Sequence, residues 1–260
     1  MAINLTCTNC PHDGYIEVST NPDTEYPGVG LILIRHKIKS ELLFTSVYMK
    51  YTESEDDLTF TFNDILCRNN CTYQIEVHFC SVTGITLDSA VAEVKSNFDV
   101  LVVADGIDYW KTPLNVSAIN TTLIRPYVMN TPLYAPKPSY YVCTNNSYEE
   151  GTCKGIFLKM VKQENGCVEF ETQNNWQYRK QLKEFLLMGN SKLIKCVTGD
   201  MWLVGIKTDS ITDNSLFENA EIEGARQIEF GWFEIGDPDS EEDLYNNGLI
   251  NVVRRFWSRT

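Results

Sequence analysis

Apolar and polar positions change period along this chain, and the changes divide it. From Tyr15 to about Phe98 the pattern is short and mostly of period two. Tyr15 to Thr20 alternates, 29–34 is a continuous apolar run, and 35–39 and 44–51 alternate again. Leu58 to Phe62 is a short strand, and Thr72 to Phe79 sets Tyr73, Ile75, Val77 and Phe79 on one face. A last strand, 90–98, closes the series. Short alternating runs separated by polar turns such as 53–57 predict a β-sandwich over 15–98, preceded by a short N-terminal segment, 1–14.

The next stretch, 99–139, reads as a linker with a Pro-rich extended arm. Val100 to Ala104 is a buried-type strand ending at Asp105-Gly106, and 123–129 is a candidate edge strand. Pro113, Pro126, Pro132, Pro136 and Pro138 break any long element there. The arm at Tyr134 to Tyr141 is either a surface loop or a reach over a neighbouring subunit.

Strands at 140–142, 153–162 and 167–171 lead into a change of period. Trp176, Leu182, Phe185 and Leu186 lie at helical spacing, with Tyr178 to Gln181, Lys183 and Glu184 between them. That predicts a helix from Trp176 to Met188, ended by Gly189 or Asn190. A strand–turn–strand follows. Residues 192–197 pair with 201–207 around Thr198-Gly199-Asp200, with Trp202, Val204 and Ile206 on one face. A loop is expected at 209–214 and a final strand at 227–235. The unit 140–236 is therefore α+β with one packed helix, and 237–260 is a C-terminal extension. Within it the acidic turn 237–243 can cap a short helix. Phe256 and Trp257 beside Arg254, Arg255 and Arg259 suggest docking, onto this chain or another. The fold class expected is mainly β.

Charge and cysteine usage narrow the function classes. The net charge of −13 and pI near 4.7 disfavour general nucleic-acid grip and suit a partner-binding protein or a surface that repels a polyanion. No apolar run is long enough to span a bilayer, so no membrane partner is expected. The N-terminus has no secretory pattern, which implies folding in a reducing cytosol. Nine cysteines then read as free thiols or metal ligands, and the sequons at Asn4, Asn70, Asn115, Asn120 and Asn145 as plain Asn/Thr richness.

Candidate chemistry is sparse. Cys7-x-x-Cys10-Pro-His12 offers three zinc ligands, which Cys67 and Cys71 could complete only by folding back; packing thiols are the alternative, and no cofactor is required. The sequence has no phosphate-binding loop, dinucleotide fingerprint, zincin or nucleophile-elbow motif. His36, between Arg35 and Lys37, is expected to be solvated, and His78 to lie on a strand surface. A His78–Cys80 nucleophile pair lacks a third, orienting residue. The acidic turn does not match a calcium loop. The expectation is that the protein is not an enzyme.

Two resemblances carry a function. Leu66 and Tyr73, in Leu-Cys-Arg-Asn-Asn-Cys-Thr-Tyr, resemble the tyrosine corner of immunoglobulin-like and fibronectin type III domains. The second runs from about Tyr140 to Leu249. Its parts are Tyr178-Arg-Lys-x-Leu-x-x-Phe185-Leu-x-x-Gly189, Lys192-x-Ile-Lys195, Gly199-x-x-Trp202-Leu-Val, Ile228-Glu-Phe, Glu234-Ile-Gly236-Asp and Leu244-Tyr-x-x-Gly-Leu249. This is similar to tail and baseplate proteins of tailed bacteriophages, of the distal-tail kind. The resemblance implies a ring subunit of the virion tail, assembled in the host cytoplasm, whose strands join those of neighbours in a closed barrel. It implies a hexamer of this chain, other tail proteins (tube, tape measure, baseplate or adaptor) as partners, and DNA that passes without specific binding. The assembly and packing residues it points to are Trp176, Tyr178, Leu182, Phe185, Trp202, Trp232 and Phe233. The alternative is an adhesin or glycan-binding module that uses the sandwich and aromatics such as Tyr109, Trp110, Tyr140 and Tyr141.

Overall fold

The computed structural model describes residues 3–114, 120–130, 139–142, 147–162, 168–171, 175–215 and 226–251. The Pro-rich arm at 131–138 and the terminal Phe256 and Trp257 lie outside them. The fold is mainly β. Among the described residues no helix is long and apolar enough to cross a membrane.

Seven strands build the sandwich: β1 (Ile3–Cys10), β2 (Tyr15–Pro22), β3 (Val29–Ile38), β4 (Thr45–Tyr51), β5 (Phe60–Asp64), β6 (Thr72–Ser81) and β7 (Thr86–Lys95). They form two antiparallel sheets, β1-β2-β5 and β4-β3-β6-β7. The first, second and fifth strands in one sheet and the third, sixth and seventh in the other make the immunoglobulin-like partition. The fourth strand lies beside the third instead of the fifth. Period two decides the interior: Ile16 and Val18, Ile32 and Ile34, and Tyr73, Ile75, Val77 and Phe79 face one another in the core. Tyr73, near the start of β6, accepts a hydrogen bond on its hydroxyl from the backbone N–H of Arg68 at 2.8 Å, the upstream bond that a tyrosine corner makes. The segment 1–14, expected to stand outside the sandwich, supplies β1, which pairs with β2 along its full length.

The remaining strands are β8 (Leu101–Ala104), β9 (Tyr109–Thr112), β10 (Asn120–Ile124), β11 (Tyr127–Asn130), β12 (Ser139–Val142), β13 (Tyr148–Gly155), β14 (Lys159–Lys162), β15 (Val168–Glu171), β16 (Lys192–Lys195), β17 (Met201–Ser215) and β18 (Arg226–Gly236). Seven of them make one sheet, β10-β13-β18-β17-β16-β8-β9, while β11-β12 and β14-β15 are two-stranded ribbons. Three strands of the expected linker, β8, β9 and β10, thus belong to this sheet. The helix α1 (Asn175–Leu187) lays Leu182, Phe185 and Leu186 on one face of the sheet, against Leu101, Val103, Ile194, Val204, Ile228, Phe230 and Trp232.

Two expectations are corrected here. Trp176 is 58% exposed: the buried line of α1 runs through Asn175, Leu182 and Leu186, and Trp176 is one residue, about 100°, off it. The loop expected at 209–214 is strand, because β17 resumes pairing with β18 after an irregularity between Lys207 and Thr212. The C-terminal extension folds back: α2 (Glu241–Asn246), capped by Ser240, sends Leu244, then Leu249 and Ile250, into the sandwich core. Asn251 holds both backbone groups of Met49, at 2.9 and 2.7 Å.

The central strands β16 and β17 are buried on both faces. Ile194 and Val204 face the helix, while Leu193, Met201 and Leu203 join the sandwich core. Two lysines on β16 are fully buried, one toward each side. Lys192 donates to Asp105 Oδ2 at 3.1 Å and lies over the Phe185 ring at 4.1 Å. Lys195 points into the sandwich, over the Phe98 ring at 4.4 Å, and donates to the carbonyls of Gly14, Ile65 (2.8 Å) and Cys67 (2.9 Å). Gly14 must be glycine: its φ is +73°, and a Cβ there would stand 2.4 Å from Val102 Cγ2.

Replacing Lys195 by Met should cost roughly 3 kcal/mol or more, because three buried carbonyls lose their donor while little volume changes. Urea unfolding at neutral pH measures it, with Lys180→Met on the exposed face of α1 as the near-neutral control.

Candidate functional site

The residues with the most concentrated chemistry lie at one corner of the sandwich. Along β3 the inward parity runs Ile32, Ile34, His36, and along β5 it ends on Asp64, so the two polar side chains meet inside. Asp64 Oδ1 accepts from the backbone N–H of Leu66 at 3.0 Å, which turns the chain and brings Cys67 back. Asp64 Oδ2 then lies 2.6 Å from His36 Nδ1 and 3.0 Å from Cys67 Sγ, with Sγ and Nδ1 3.9 Å apart. Asp64 and Cys67 are completely buried and His36 nearly so. His36 is therefore not the solvated residue that its basic neighbours suggested; strand parity outweighs them.

Electrostatics sets the protons. Burial pushes the Asp64 carboxyl up, but His36 and the bonds from His36, Cys67 and Leu66 overcome this and hold it below the usual carboxylate range. With Asp64 ionised, His36 Nδ1 carries a proton and Cys67 donates its own. Burial first, then the Asp64 charge, keep the Cys67 thiol well above its ordinary value. The same two causes raise Cys7 to about 12. Burial lowers Lys195 to about 8, against the pull of Cys67 and Asp64. The cluster holds a carboxylate at its hub with an imidazole and a thiol both bonded to it. Asp64 holds the thiol protonated instead of lowering it, and His36 Nδ1 is turned to Asp64, so the donor set suits a cation better than nucleophilic attack.

Cys7, Cys10 and His12 do not converge. A separation of three along β1 puts the two thiols on opposite faces, and His12 pairs with Asp99 at 2.6 Å. Of the two cysteines proposed to complete that site, Cys67 joins His36 and Asp64, while Cys71 stands outside the cluster. His78 lies against Glu76 at 3.0 Å and Arg35, and Cys80 faces Thr86, so those two form no pair. Asp64 and Lys195 were missed; the inward parity of β5 was the available signal for the first. His36, Leu66 and Tyr73 form one wall of a cleft of about 510 Å³, closed on the other side by the 41–45 loop and Pro238 to Glu241.

The residues marked for assembly divide by depth. Leu182, Phe185 and Trp232 are interior and build the subunit itself. Tyr178 packs on Trp110 with ring centroids 4.5 Å apart and planes tilted by 58°. Trp202 packs on Trp232 at 5.2 Å and donates from Nε1 to Glu149 at 2.7 Å. Trp176 and Phe233 face solvent, and Gly205 leaves the space that the Phe233 ring occupies. Leu66 is buried at the corner that Tyr73 closes. No protein-family model, curated protein or solved structure matches the chain.

The depressed Asp64 carboxyl contributes stability above its unfolded value, about 3.9, and that contribution disappears as pH falls through the folded value. The stability gap between the wild type and Asp64→Asn should therefore be widest near neutrality and shrink in acid. Unfolding midpoints of the two proteins across a pH series check this.

Proposed function

We propose that the chain is a structural assembly protein, a ring or connector subunit of a bacteriophage tail, with no catalytic role. The observation that supports it best is the β10 side of the seven-stranded sheet. No described strand continues beyond β10. There Leu123 is 68% exposed, and on the adjoining β11 Tyr127, Val128 and Met129 are 56–64% exposed. An accessible strand edge is a template for pairing with another chain, and these exposed apolar side chains flank Arg125 and Pro126. Exposed Trp176 and Phe233 add aromatic anchors of the kind that interfaces use. The charge of −13 suits a channel through which DNA slides without adhering.

On this reading the purified protein forms closed rings, six copies by the distal-tail resemblance, in contact with tube, tape-measure, baseplate or adaptor proteins. Light scattering at tens of micromolar should give a multiple of the monomer mass. Leu123→Lys with Val128→Lys should return it to one copy without lowering the melting temperature. A wild-type monomer at that concentration would overturn the proposal.

A further inference from the structure

We propose that His36, Asp64 and Cys67 form a binding site for a thiophilic divalent cation, zinc(II) foremost. The three ligand atoms, one nitrogen, one oxygen and one sulfur, lie within 4.8 Å of one another. Bonds of about 2.0–2.3 Å in a tetrahedron place such atoms about 3.3–3.7 Å apart. The observed separations of 2.6, 3.0 and 3.9 Å bracket that range, with the carboxylate drawn in by the two protons it shares. Removing those protons releases the contraction, so the hydrogen-bonded cluster is the protonated counterpart of a metal centre. Nitrogen, oxygen and thiolate sulfur together select zinc over calcium or magnesium, which prefer oxygen alone.

Proton and charge balance agree. Zinc(II) replaces the thiol proton of Cys67, which leaves to solvent, and takes the Nδ1 lone pair of His36, whose ring proton moves to Nε2 or is released. One dication with one carboxylate, one thiolate and one neutral imidazole is locally neutral, so the interior gains no uncompensated charge. The Cys67 carbonyl is already fixed by Lys195, and Leu66 N–H holds the second carboxylate oxygen, so two of the ligands are preoriented by groups that do not bind the ion. Of the three ligands His36 lines the cleft with Leu66 and Tyr73, and that cleft offers the entry path. The inference stands independently of the assembly reading, since it concerns the interior of one subunit.

The full-length protein, purified metal-free under reducing conditions, is titrated with zinc chloride against a chromophoric chelator, and separately with cobalt(II) chloride. The expected result is one zinc per chain, a rise in melting temperature with zinc, and a thiolate-to-cobalt charge-transfer band with the intense visible spectrum of tetrahedral cobalt. Cys67→Ser should abolish the charge-transfer band and weaken zinc binding more than about tenfold. The Cys10→Ser, His12→Ala double variant should keep both. No band and no zinc uptake by the folded wild type at micromolar metal would overturn the proposal without recourse to a variant. Binding that survives Cys67→Ser but is lost in the double variant would overturn it equally.

Discussion

A single buried ammonium joins the two halves of this molecule. Lys195 leaves β16, an inner strand of the seven-stranded sheet, enters the sandwich and donates to carbonyls at Gly14, Ile65 and Cys67, which sit in the β1–β2 turn and the turn after β5. Those carbonyls are at loop corners where no strand partner supplies an N–H. A lysine with three donors satisfies them at once, and the Phe98 ring beneath it offers its negative face. An isolated ammonium in an apolar core would be prohibitive, so the lysine and the loop geometry that surrounds it are specified together. The neighbouring groups extend the same logic. Asn69 donates to the carbonyls of Phe98 and Val197, one from each half, and accepts from Phe98 N–H. Arg68 reaches Asp239 through two nitrogens at 3.1 and 2.6 Å and binds the carbonyl of Gly199.

This junction explains why one hydrophobic core contains residues from distant parts of the chain. Leu193, Met201 and Leu203 from the sheet and Leu244, Leu249 and Ile250 from the C-terminal extension pack with Ile16, Ile34 and Phe79 of the sandwich. A hinge between halves would have to open that apolar surface and strip donors from buried carbonyls simultaneously. The sandwich is therefore carried rigidly by the sheet. The corner cluster of His36, Asp64 and Cys67 is held from both sides, since the Cys67 carbonyl is bound from the sheet while its thiol faces the sandwich interior.

Much of the architecture was legible because it depends on period. The sandwich strands, the helix at 175–187 and the hairpin with Gly199 at φ +97° follow from alternation, helical spacing and turn chemistry. What escaped depends on partners far away in sequence. Lys192 and Lys195 look like solvated ends of a short strand, and only the helix on one side and the sandwich on the other make them interior. His36 carried contradictory signals: its parity matched Ile32 and Ile34, while its neighbours were basic, and parity prevailed because β3 is central in its sheet. The Cys7, Cys10 and His12 motif had ligand spacing but strand geometry, and a strand sends residues three apart to opposite faces. Trp176 followed the apolar pattern and lies outside, because one residue of helical phase separates a core position from a surface one.

That last residue bears on how the fold divides its aromatic surface. Trp232 and Phe230 are sealed beneath the helix, whereas Trp176 and Phe233 from the same two elements point outward. Alternation in β18 sends Trp232 and Phe233 to opposite faces of the sheet, and Phe233 falls on a face left partly open at that point. A chain under selection only for its own stability would place a polar residue at the outward position, since exposed aromatic area adds nothing to folding and invites association. The sealed ring packs under the helix, while its outward neighbour Phe233 lies over Gly205 and keeps part of its ring accessible.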